Sequence, residues 1–387
     1  MGNKLPIHYV TKLMSSPDVL ARGMRQVLRK RAAEWLDYRR DDGYSRPPAQ
    51  LGFKLVNACN LRCKMCGQWG ETGYNFSRPS AELKEIVPLA TYQTLLDDVA
   101  PFKPWLFVWG GEPFLYPDIM PLLTYMKQKG LTISISTNGT KLDKHIRQIV
   151  EIGVDFLLIS IDGPPDTHDD IRGYKGAFES TAGAMKAIQE EKKRQGKTKP
   201  YIFVVSVITA NNQRNLAELY EVTETLDADM MMTFYSWFQT RESGQRQTAL
   251  LEEKLDITPW SWAGWLWNVN EIDPQAVVRS VEEVNARQWS FPYTFYPNLR
   301  LEDVPAYYRD HSQTFGYDKC LAPWLLGEIM PNGDVVTCRD YPDVVLGNIR
   351  EQSLLDIWNN KRARSFRQLL QEGLMPICAR CEGMMGP

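Results

Sequence analysis

Short apolar runs alternate, along the middle of the chain, with stretches in which apolar residues recur every three or four positions. The runs predict buried strands, and the longer periodic stretches predict amphipathic helices. The predicted strands are 52–56, 105–109, 131–136, 156–161, 202–208 and 230–235. The predicted helices are 89–99, 119–129, 143–152, 177–194 and 215–226. This alternation is typical of parallel strands joined by crossover helices, so we expect an α/β fold. Six strands predict a partial (β/α)6 TIM-like barrel, because a closed barrel needs eight.

The segment before this region predicts a helical arm. Ser16 can cap its helix and Pro17 suits the first helical turn. Its apolar residues at helical spacing are Leu20, Met24, Val27, Leu28, Trp35 and Leu36. We expect this apolar face to pack on the barrel, with the arginines of the arm in solvent.

The pattern also changes after the sixth predicted strand. Residues 237–310 are rich in Trp and Pro, and Trp260, Trp262, Trp265 and Trp267 fall in one short stretch. They indicate either a lid or apolar substrate wall, or a small core of the segment itself. Residues beyond 320 predict strands at 326–330 and 334–338 and a helix at 354–370. We therefore divide the chain into a basic N-terminal arm (1–49), a barrel (50–236), a Trp-rich insertion or linker (237–310) and a C-terminal extension (311–387).

Composition and charge exclude some functions. The 387 residues are 43% hydrophobic and 24% charged, as in an ordinary soluble protein. A formal net charge of −2 gives no general case for nucleic-acid binding. No run of about 18 apolar residues suggests a transmembrane helix. Because residues 1–10 also lack the core of a signal peptide, we expect the protein in the cytoplasm.

The charge is unevenly distributed. Residues 1–50 contain 10 Lys and Arg against 5 Asp and Glu, so the arm is basic although the whole chain is slightly acidic. The alternatives to packing on the barrel are contacts of the basic arm with a membrane surface, an anionic substrate carrier or a peptide.

The seven cysteines give the strongest chemical signal. An odd number and a reducing compartment argue against a complete set of disulfides. The cysteines form an early group of three, Cys59, Cys63 and Cys66, and a late group of four, Cys320, Cys338, Cys378 and Cys381. This division predicts two metal sites of different kinds.

The early group follows the first predicted strand, at the end of a barrel where catalytic residues lie. Three thiolates leave one iron of a cubane cluster open to another ligand. A zinc site or three buried thiols are the alternatives. The spacing C-x3-C-x2-C resembles the signature of the radical S-adenosylmethionine (SAM) superfamily. This resemblance implies a [4Fe-4S] cluster whose open iron binds SAM, reductive cleavage of SAM to a 5′-deoxyadenosyl radical, and a reducing partner such as flavodoxin or ferredoxin.

Further segments match the same family. Gly110, Gly111, Glu112 and Pro113 resemble its GGEP motif, in which the glycines permit close backbone approach and Glu112 is available to the SAM amino group. The ends of the third and fourth strands resemble segments that approach SAM, and they supply Ser136, Asn138, Ser160 and Asp162. A planar guanidinium suits a carboxylate, so Arg172 is predicted to pair with that of SAM. The alternative is that these polar side chains only form hydrogen bonds within their own turns.

The four late cysteines suggest a zinc or iron–sulfur site, and their spacing alone does not choose between the two metals. The pattern C-x17-C with an internal G-x4-C, followed by C-x2-C, resembles the SPASM/twitch extension of many radical SAM enzymes. The resemblance implies a second, auxiliary [4Fe-4S] cluster with four cysteine ligands. Full SPASM domains carry additional cysteines, and only six residues follow Cys381 here, so we expect one auxiliary cluster.

The two predicted clusters favour net oxidation. After hydrogen abstraction, loss of a proton and one electron turns a hydroxylated carbon into a carbonyl, and the auxiliary cluster is a suitable electron acceptor. The leading hypothesis is therefore dehydrogenation of a hydroxylated small molecule or natural-product intermediate. Epimerisation, with a Tyr as hydrogen donor, and modification of a peptide or protein are alternatives, and a non-catalytic electron carrier is a remote one. We assign no catalytic residue, and His168 suits a loop role.

Overall fold

The computed structural model describes residues 17–381. Ten strands form one sheet. They are β1 (Gln50–Lys54), β2 (Trp105–Trp109), β3 (Thr132–Thr137), β4 (Phe156–Ser160), β5 (Tyr201–Val207), β6 (Met230–Phe234), β7 (Tyr293–Tyr296), β8 (Leu326–Ile329), β9 (Asp334–Val336) and β10 (Val345–Asn348). The sheet order is β10-β9-β8-β1-β2-β3-β4-β5-β6-β7, so its two edges differ and the barrel is open.

The first seven strands run parallel, and β8 pairs in parallel with the other edge of β1. Strands β9 and β10 are antiparallel. The predicted partial barrel is confirmed, and all six predicted barrel strands are present. The sheet also continues at both sides, through β7 from the Trp-rich segment and through β8 from the C-terminal extension.

Helices cover one face of this sheet. The α-helices of five or more residues are α1 (Pro17–Ala32), α2 (Leu89–Val99), α3 (Ile119–Gln128), α4 (Ile146–Ile152), α5 (Pro165–Arg172), α6 (Ala177–Gln195), α7 (Leu216–Thr225), α8 (Arg241–Leu255), α9 (Pro274–Ala286), α10 (Val304–Arg309), α11 (Leu354–Trp358) and α12 (Lys361–Glu372). Single helical turns occur at Ser80–Leu83 and Ala322–Leu325. Within residues 17–381, no helix is long and apolar enough to cross a membrane.

Alternation along the strands separates two environments. The outward side chains are apolar and fully buried against the helices, as at Leu51, Phe53, Leu106 and Val108. Parallel pairing places Gly52 beside Phe107 and Phe107 beside Ser134, so these residues share the other, concave face. The concave face is therefore the one that a ligand can reach in this architecture.

Two sequence predictions need correction in the later chain. The predicted helix 354–370 is two helices, because the Asn360 side chain accepts a hydrogen bond from the Ala363 N–H and starts α12 anew. The break in pattern after residue 235 does not end the sheet, since β7 pairs with β6 along Met231–Phe234. Sequence patterning missed this strand, which is only four residues long and is flanked by Pro292 and Pro297.

The arm is helical, but the predicted packing of its apolar face on the barrel is wrong. Met24, Val27 and Leu28 are 54–66% exposed, whereas Arg22 and Arg29 bond to the body of the protein. Specific carboxylate and carbonyl acceptors on the body bind the basic side of the helix. The capping role of Ser16 and the packing of the Leu20 side chain lie outside what the structure describes.

Asp155 joins the arm to the barrel. Its buried carboxylate accepts hydrogen bonds from Arg22 (2.8 Å), Lys127 (2.6 Å) and Lys199 (2.8 Å), and from the backbone N–H of Ile133 (3.0 Å). Burial alone would raise the pKa of Asp155, but the charges and hydrogen bonds of the two lysines outweigh it and hold that pKa below its ordinary value. The ionised carboxylate therefore stabilises the folded state.

We expect Asp155→Ala to lower the free energy of unfolding by about 3 kcal/mol at neutral pH, because the buried cationic groups lose their shared carboxylate. Since the pKa of Asp155 is lower in the folded state, its stabilisation is present above the ordinary carboxyl pKa and is lost as pH falls through the folded value. Urea unfolding at several pH values measures both effects. Asp97→Ala, which removes an exposed partner of Lys129, is the control and should change little; equal losses would contradict the assignment.

Candidate functional site

The early cysteines lie on the loop after β1, at the carboxyl end of the parallel strands. Cys63 is buried, and Cys59 and Cys66 are partly buried. All three pack in one small apolar cluster with Leu61, Met65, Ile171 and Val207. The loop is held against α5 because the Lys64 N–H donates to the Ile171 carbonyl (2.9 Å). The structure thus brings the three predicted ligands together in a largely water-excluded position.

The Gly-Gly-Glu-Pro segment after β2 packs directly on the backbone of this loop. The Gly111 N–H donates to the Val56 carbonyl and the Glu112 N–H to the Ala58 carbonyl, both at 2.8 Å. A Cβ at Gly111 would overlap the Ala58 carbonyl, so the backbone approach requires glycine there. Gly110 lies against Val56 in the same way, and Pro113 starts the short helical turn that follows.

Glu112 is fully buried beneath the loop. Its carboxylate accepts hydrogen bonds from the Phe114 N–H (3.1 Å), the Thr137 hydroxyl (2.8 Å) and the Asn138 N–H (2.9 Å). Burial raises the pKa of Glu112 to about 7, although these three donors favour the ionised form. The carboxylate therefore fixes the end of β2 against the end of β3, and its contact with the SAM amino group stays a prediction.

The polar residues predicted at the third and fourth strand ends lie around the loop. The Asn138 amide donates to Asn60 Oδ1 (3.1 Å) and contacts Cys59 Sγ at 3.9 Å. Ser136 and Ser160 are partly buried at the ends of β3 and β4, and neither hydroxyl bonds to another described residue. Asn138 secures the cysteine loop, whereas the two serines have hydroxyls available to a ligand.

Arg172 and Asp162, predicted as separate SAM contacts, pair with each other. Arg172 Nη2 lies 2.6 Å from Asp162 Oδ2, and Nη1 lies 3.6 Å from Cys63 Sγ. The other Asp162 oxygen accepts from the Ser206 hydroxyl (3.0 Å) and the Val207 N–H (3.2 Å). Burial raises the pKa of Cys63 to about 11, and the charge of Arg172 opposes that rise. The guanidinium is thus positioned to stabilise a thiolate ligand at Cys63.

His168 is a neutral support for this pair. Its Nδ1 accepts a hydrogen bond from the Asp162 N–H at 3.2 Å. Burial, together with the nearby charge of Arg172, lowers the pKa of His168 to about 4. The side chain is therefore uncharged at neutral pH. The predicted loop role is wrong, because His168 lies within α5 and is buried there.

The four late cysteines line a single cavity of about 90 Å³. The first and last of them, Cys320 and Cys381, are more than 60 residues apart in the sequence. The walls of the cavity are mainly apolar and include Leu251, Phe366 and Ile377. Cys378 and Cys381 are adjacent on a tight turn, in which the Cys381 N–H donates to the Cys378 carbonyl at 3.1 Å. Burial raises the pKa of Cys378 to about 12, so a metal cluster has to displace protons when it binds these thiols.

Sequence reasoning missed the residue that holds the last turn in place. Arg380, between the two cysteines of the closing pair, is fully buried. Its guanidinium donates to the carbonyls of Tyr307 (2.8 Å), Asp310 (2.5 Å) and Gln313 (2.8 Å). The sequence gives no sign that Arg380 has this role, because the three acceptors are backbone carbonyls and no partner side chain marks them.

A buried polar cluster on the concave face connects the two cysteine groups, and it was also not predicted. Glu328 of β8 accepts hydrogen bonds from Trp109 Nε1 (3.1 Å) and from Arg339 Nη2 (2.7 Å). Arg339 follows Cys338 directly, and both Glu328 and Arg339 line the four-cysteine cavity. Trp109 ends β2, next to the Gly-Gly-Glu-Pro segment. The cavity of the late group therefore adjoins the concave face of the barrel.

Lys54 lies on the same face, at the end of β1. Its fully buried ammonium donates to the Tyr74 hydroxyl at 3.3 Å and lies 5.5 Å from the centre of the Trp109 ring. Burial, with the charge of Arg78, lowers the pKa of Lys54 to about 7. No carboxylate in the described part of the chain forms an ion pair with it. The concave face thus offers a titratable cation close to the early cysteine loop.

The Trp-rich stretch bridges the two groups at a second point. Trp265 packs over Gly67, which follows Cys66, and its Nε1 donates to the Asp340 carbonyl at 3.2 Å. Trp262 instead packs against Gly244 of α8, within the insertion. Trp265 thus lies between the two cysteine groups, and both Trp262 and Trp265 pack with the main hydrophobic core. A role of the stretch as a lid or substrate wall stays a prediction.

Gly52 is required for the cluster at Glu328. A Cβ at Gly52 would overlap the Glu328 carboxylate, which Trp109 and Arg339 hold in place. We expect Gly52→Ala to lower the free energy of unfolding by about 2 kcal/mol through overpacking. In a Glu328→Ala background the added methyl has room, so Gly52→Ala should cost much less there. Urea unfolding of the four proteins of this cycle measures the difference, and an equal cost in both backgrounds would refute the steric explanation.

Comparison with known proteins agrees with this geometry. A model of the radical SAM superfamily matches residues 53–222, and a model of an iron–sulfur cluster-binding domain, SPASM, matches residues 320–382. Together they cover more than half of the chain.

Two curated relatives match along most of their length. A tungsten-containing aldehyde ferredoxin oxidoreductase cofactor-modifying protein of Pyrococcus furiosus is 26% identical over 344 residues, which cover 86% of each chain. An AdoMet-dependent heme synthase of Methanosarcina barkeri is 27% identical over 342 residues, covering 87% of this chain and 88% of the relative.

The fold is also similar to that of Streptococcus suis SuiB in complex with its precursor peptide SuiA. The TM-score is 0.58 at 16% identity, over 87% of this chain and 71% of SuiB. This similarity concerns the fold. The chain belongs to the radical SAM superfamily and carries a C-terminal iron–sulfur cluster-binding domain of the SPASM type.

Proposed function

We propose that this radical SAM enzyme holds its catalytic [4Fe-4S] cluster on Cys59, Cys63 and Cys66 and an auxiliary [4Fe-4S] cluster on the four late cysteines, and that it dehydrogenates a hydroxylated small molecule or natural-product intermediate. The observation that carries the proposal is the placement of three thiols in one apolar cluster at the catalytic end of the barrel, and of four others around one cavity beside the concave face.

The donor sets fit two different clusters. Three thiols leave one iron open for SAM, whereas four complete the coordination of a cubane. No group of three His, Cys, Asp or Glu side chains among residues 17–381 is arranged around a single metal ion. A cubane spreads its ligands over four irons, so its thiols are farther apart than those of a zinc site. For the late group, the choice of a cluster over zinc rests on the match of an iron–sulfur cluster-binding domain to residues 320–382.

When bound, the catalytic cluster and SAM supply a 5′-deoxyadenosyl radical that takes a hydrogen atom from the substrate. We propose that Ser136, Asn138 and Ser160 at the strand ends help to bind SAM, as do the glycines and Glu112 of the Gly-Gly-Glu-Pro segment. Asp162 orients Arg172, whose guanidinium lies beside Cys63. Enclosure by the barrel excludes water from the reacting groups.

The position of the second cavity supports the proposed net oxidation. The substrate radical loses one proton and one electron as its hydroxyl becomes a carbonyl, and the auxiliary cluster is the proposed electron acceptor. The link from Trp109 through Glu328 to Arg339 places that cavity next to the concave face. Both oxygens of Glu328 are engaged by donors, which makes Glu328 unsuitable as the proton acceptor.

The relatives support a small-molecule substrate. Both are named for work on a cofactor, one as a heme synthase and one as a cofactor-modifying protein. Modification of a peptide is the second candidate, and the fold shared with peptide-bound SuiB is the observation in its favour. A flavodoxin or ferredoxin is the proposed electron donor to the catalytic cluster.

The two-cluster proposal predicts the iron content of variants. After anaerobic reconstitution, Cys59→Ala/Cys63→Ala/Cys66→Ala should retain about four irons, because the late group still binds a cubane. By contrast, Cys378→Ala/Cys381→Ala should lose the auxiliary cluster and keep the catalytic one. Iron, sulfide and zinc analysis measures this. One zinc and no iron in the first variant would defeat the auxiliary-cluster assignment.

The same variants should also differ in SAM cleavage and in formation of the oxidised product. With dithionite, the wild type should convert SAM to 5′-deoxyadenosine, and the early triple variant should not. Cys378→Ala/Cys381→Ala should still cleave SAM but should not accumulate the oxidised product. Candidate substrates carrying deuterium at the hydroxylated carbon should transfer it to 5′-deoxyadenosine. If deuterium is transferred from a labelled peptide but not from any small molecule tested, peptide modification replaces the leading proposal.

A further inference from the structure

Helix α1 is attached to the body by its basic side. Arg22 Nη1 donates to Asp155 Oδ1 (2.8 Å) and to the Thr132 hydroxyl (3.0 Å). Arg29 donates to the carbonyls of Ala49 and Phe102. Because these contacts lie at two points about two helical turns apart, they fix which side of the helix faces the protein.

The opposite side of α1, together with the π-helical segment Ala33–Asp37 that directly continues it, exposes a stripe of large apolar residues. The stripe consists of Met24 (66% exposed), Val27 (54%), Leu28 (61%), Trp35 (59%) and Leu36 (60%). Five such side chains together are unusual on the surface of a soluble protein, where large exposed apolar residues are normally scattered. This arrangement reverses that of an ordinary surface helix, which buries its apolar face.

Cationic side chains surround the stripe. Arg25, Arg31 and Arg39 are exposed beside it, and the Arg39 guanidinium stacks over the Trp35 ring at 4.2 Å. The acidic residues of this region with described side chains face elsewhere, because Glu34 pairs with Lys319 and Asp37 is buried against Arg46. Among the side chains that the structure describes, no carboxylate therefore contacts this positively charged border.

We propose that this stripe is a docking surface for an anionic lipid bilayer. The apolar side chains would enter the boundary between headgroups and acyl chains, and the three arginines would contact lipid phosphates and carboxylates. Trp35 and Arg39 together suit the interface, where an aromatic ring and a cation both find partners. The proposal does not depend on the reaction that the barrel performs.

Charge distinguishes a bilayer from two other occupants. Residues 1–16 contain Lys4 and Lys12 and no Asp or Glu, so they do not complement an arginine border. In a symmetric dimer the same patch lies on both sides of the interface, and the arginines of one copy would meet those of the other. An anionic membrane surface has the complementary charge.

Co-sedimentation of the full-length protein with vesicles tests the proposal. The wild type should bind vesicles of phosphatidylcholine and phosphatidylserine, bind vesicles of phosphatidylcholine alone at least about tenfold more weakly, and lose binding at high salt. Arg25→Gln/Arg31→Gln/Arg39→Gln and, separately, Leu28→Gln/Trp35→Gln should each weaken binding about tenfold or more. Arg279→Gln, at an exposed site on α9, is the matched control and should bind like the wild type.

Three results would overturn the proposal. They are failure of the full-length protein to sediment with anionic vesicles, equal binding to both kinds of vesicle, and binding that the stripe variants leave unchanged. A concentration-dependent dimer that Leu28→Gln/Trp35→Gln dissociates would assign the stripe to a second copy instead. Thermal unfolding of each variant verifies folding, and little change is expected because the substituted side chains are exposed.

Discussion

The buried carboxylate of Glu112 holds together the backbone segments on which the early cysteine loop rests. It accepts three hydrogen bonds from groups at the ends of β2 and β3, including the Asn138 N–H. The backbone N–H of Glu112 binds the Ala58 carbonyl, and the Asn138 amide reaches Asn60 and Cys59. A buried carboxylate would be costly without these donors. Because every donor belongs to the site, the same network that satisfies the charge also positions Cys59.

The two cysteine groups differ in their electrostatic surroundings. The early group has Arg172 beside Cys63, so a cation is available to stabilise the thiolate form. The late group lies in a mainly apolar cavity, in which burial raises the pKa of its thiols. The potentials of iron–sulfur clusters depend on nearby charge, hydrogen bonds and solvent exposure. The two environments therefore differ in the properties that set a cluster's potential. The roles proposed for the two clusters, generating a radical and accepting its electron, require such a difference.

Continuity of the sheet brings these environments together. Strand β8 pairs with β1 although about 270 residues separate them, so the late cysteines lie beside the barrel and are not on a separate appendage. Glu328 of β8 fits over Gly52 of β1 and binds Trp109 of β2. Trp265 adds a second connection, from Gly67 to Asp340. The side chains of Glu328, Trp109 and Trp265, from three separate segments, thus lie between the two cysteine groups.

The sequence by itself determined the local elements and the early group. The six barrel strands follow from apolar runs, and Cys59, Cys63 and Cys66 are so close in the chain that any compact loop brings their thiols together. The convergence of Cys320 with Cys378 depended on the tertiary structure, as did the pairing of Arg172 with Asp162. The same holds for α1. Periodicity shows which residues share a face of a helix, but the face that meets the protein is decided by its partners, here Asp155 and the carbonyl of Ala49, which are distant in the sequence.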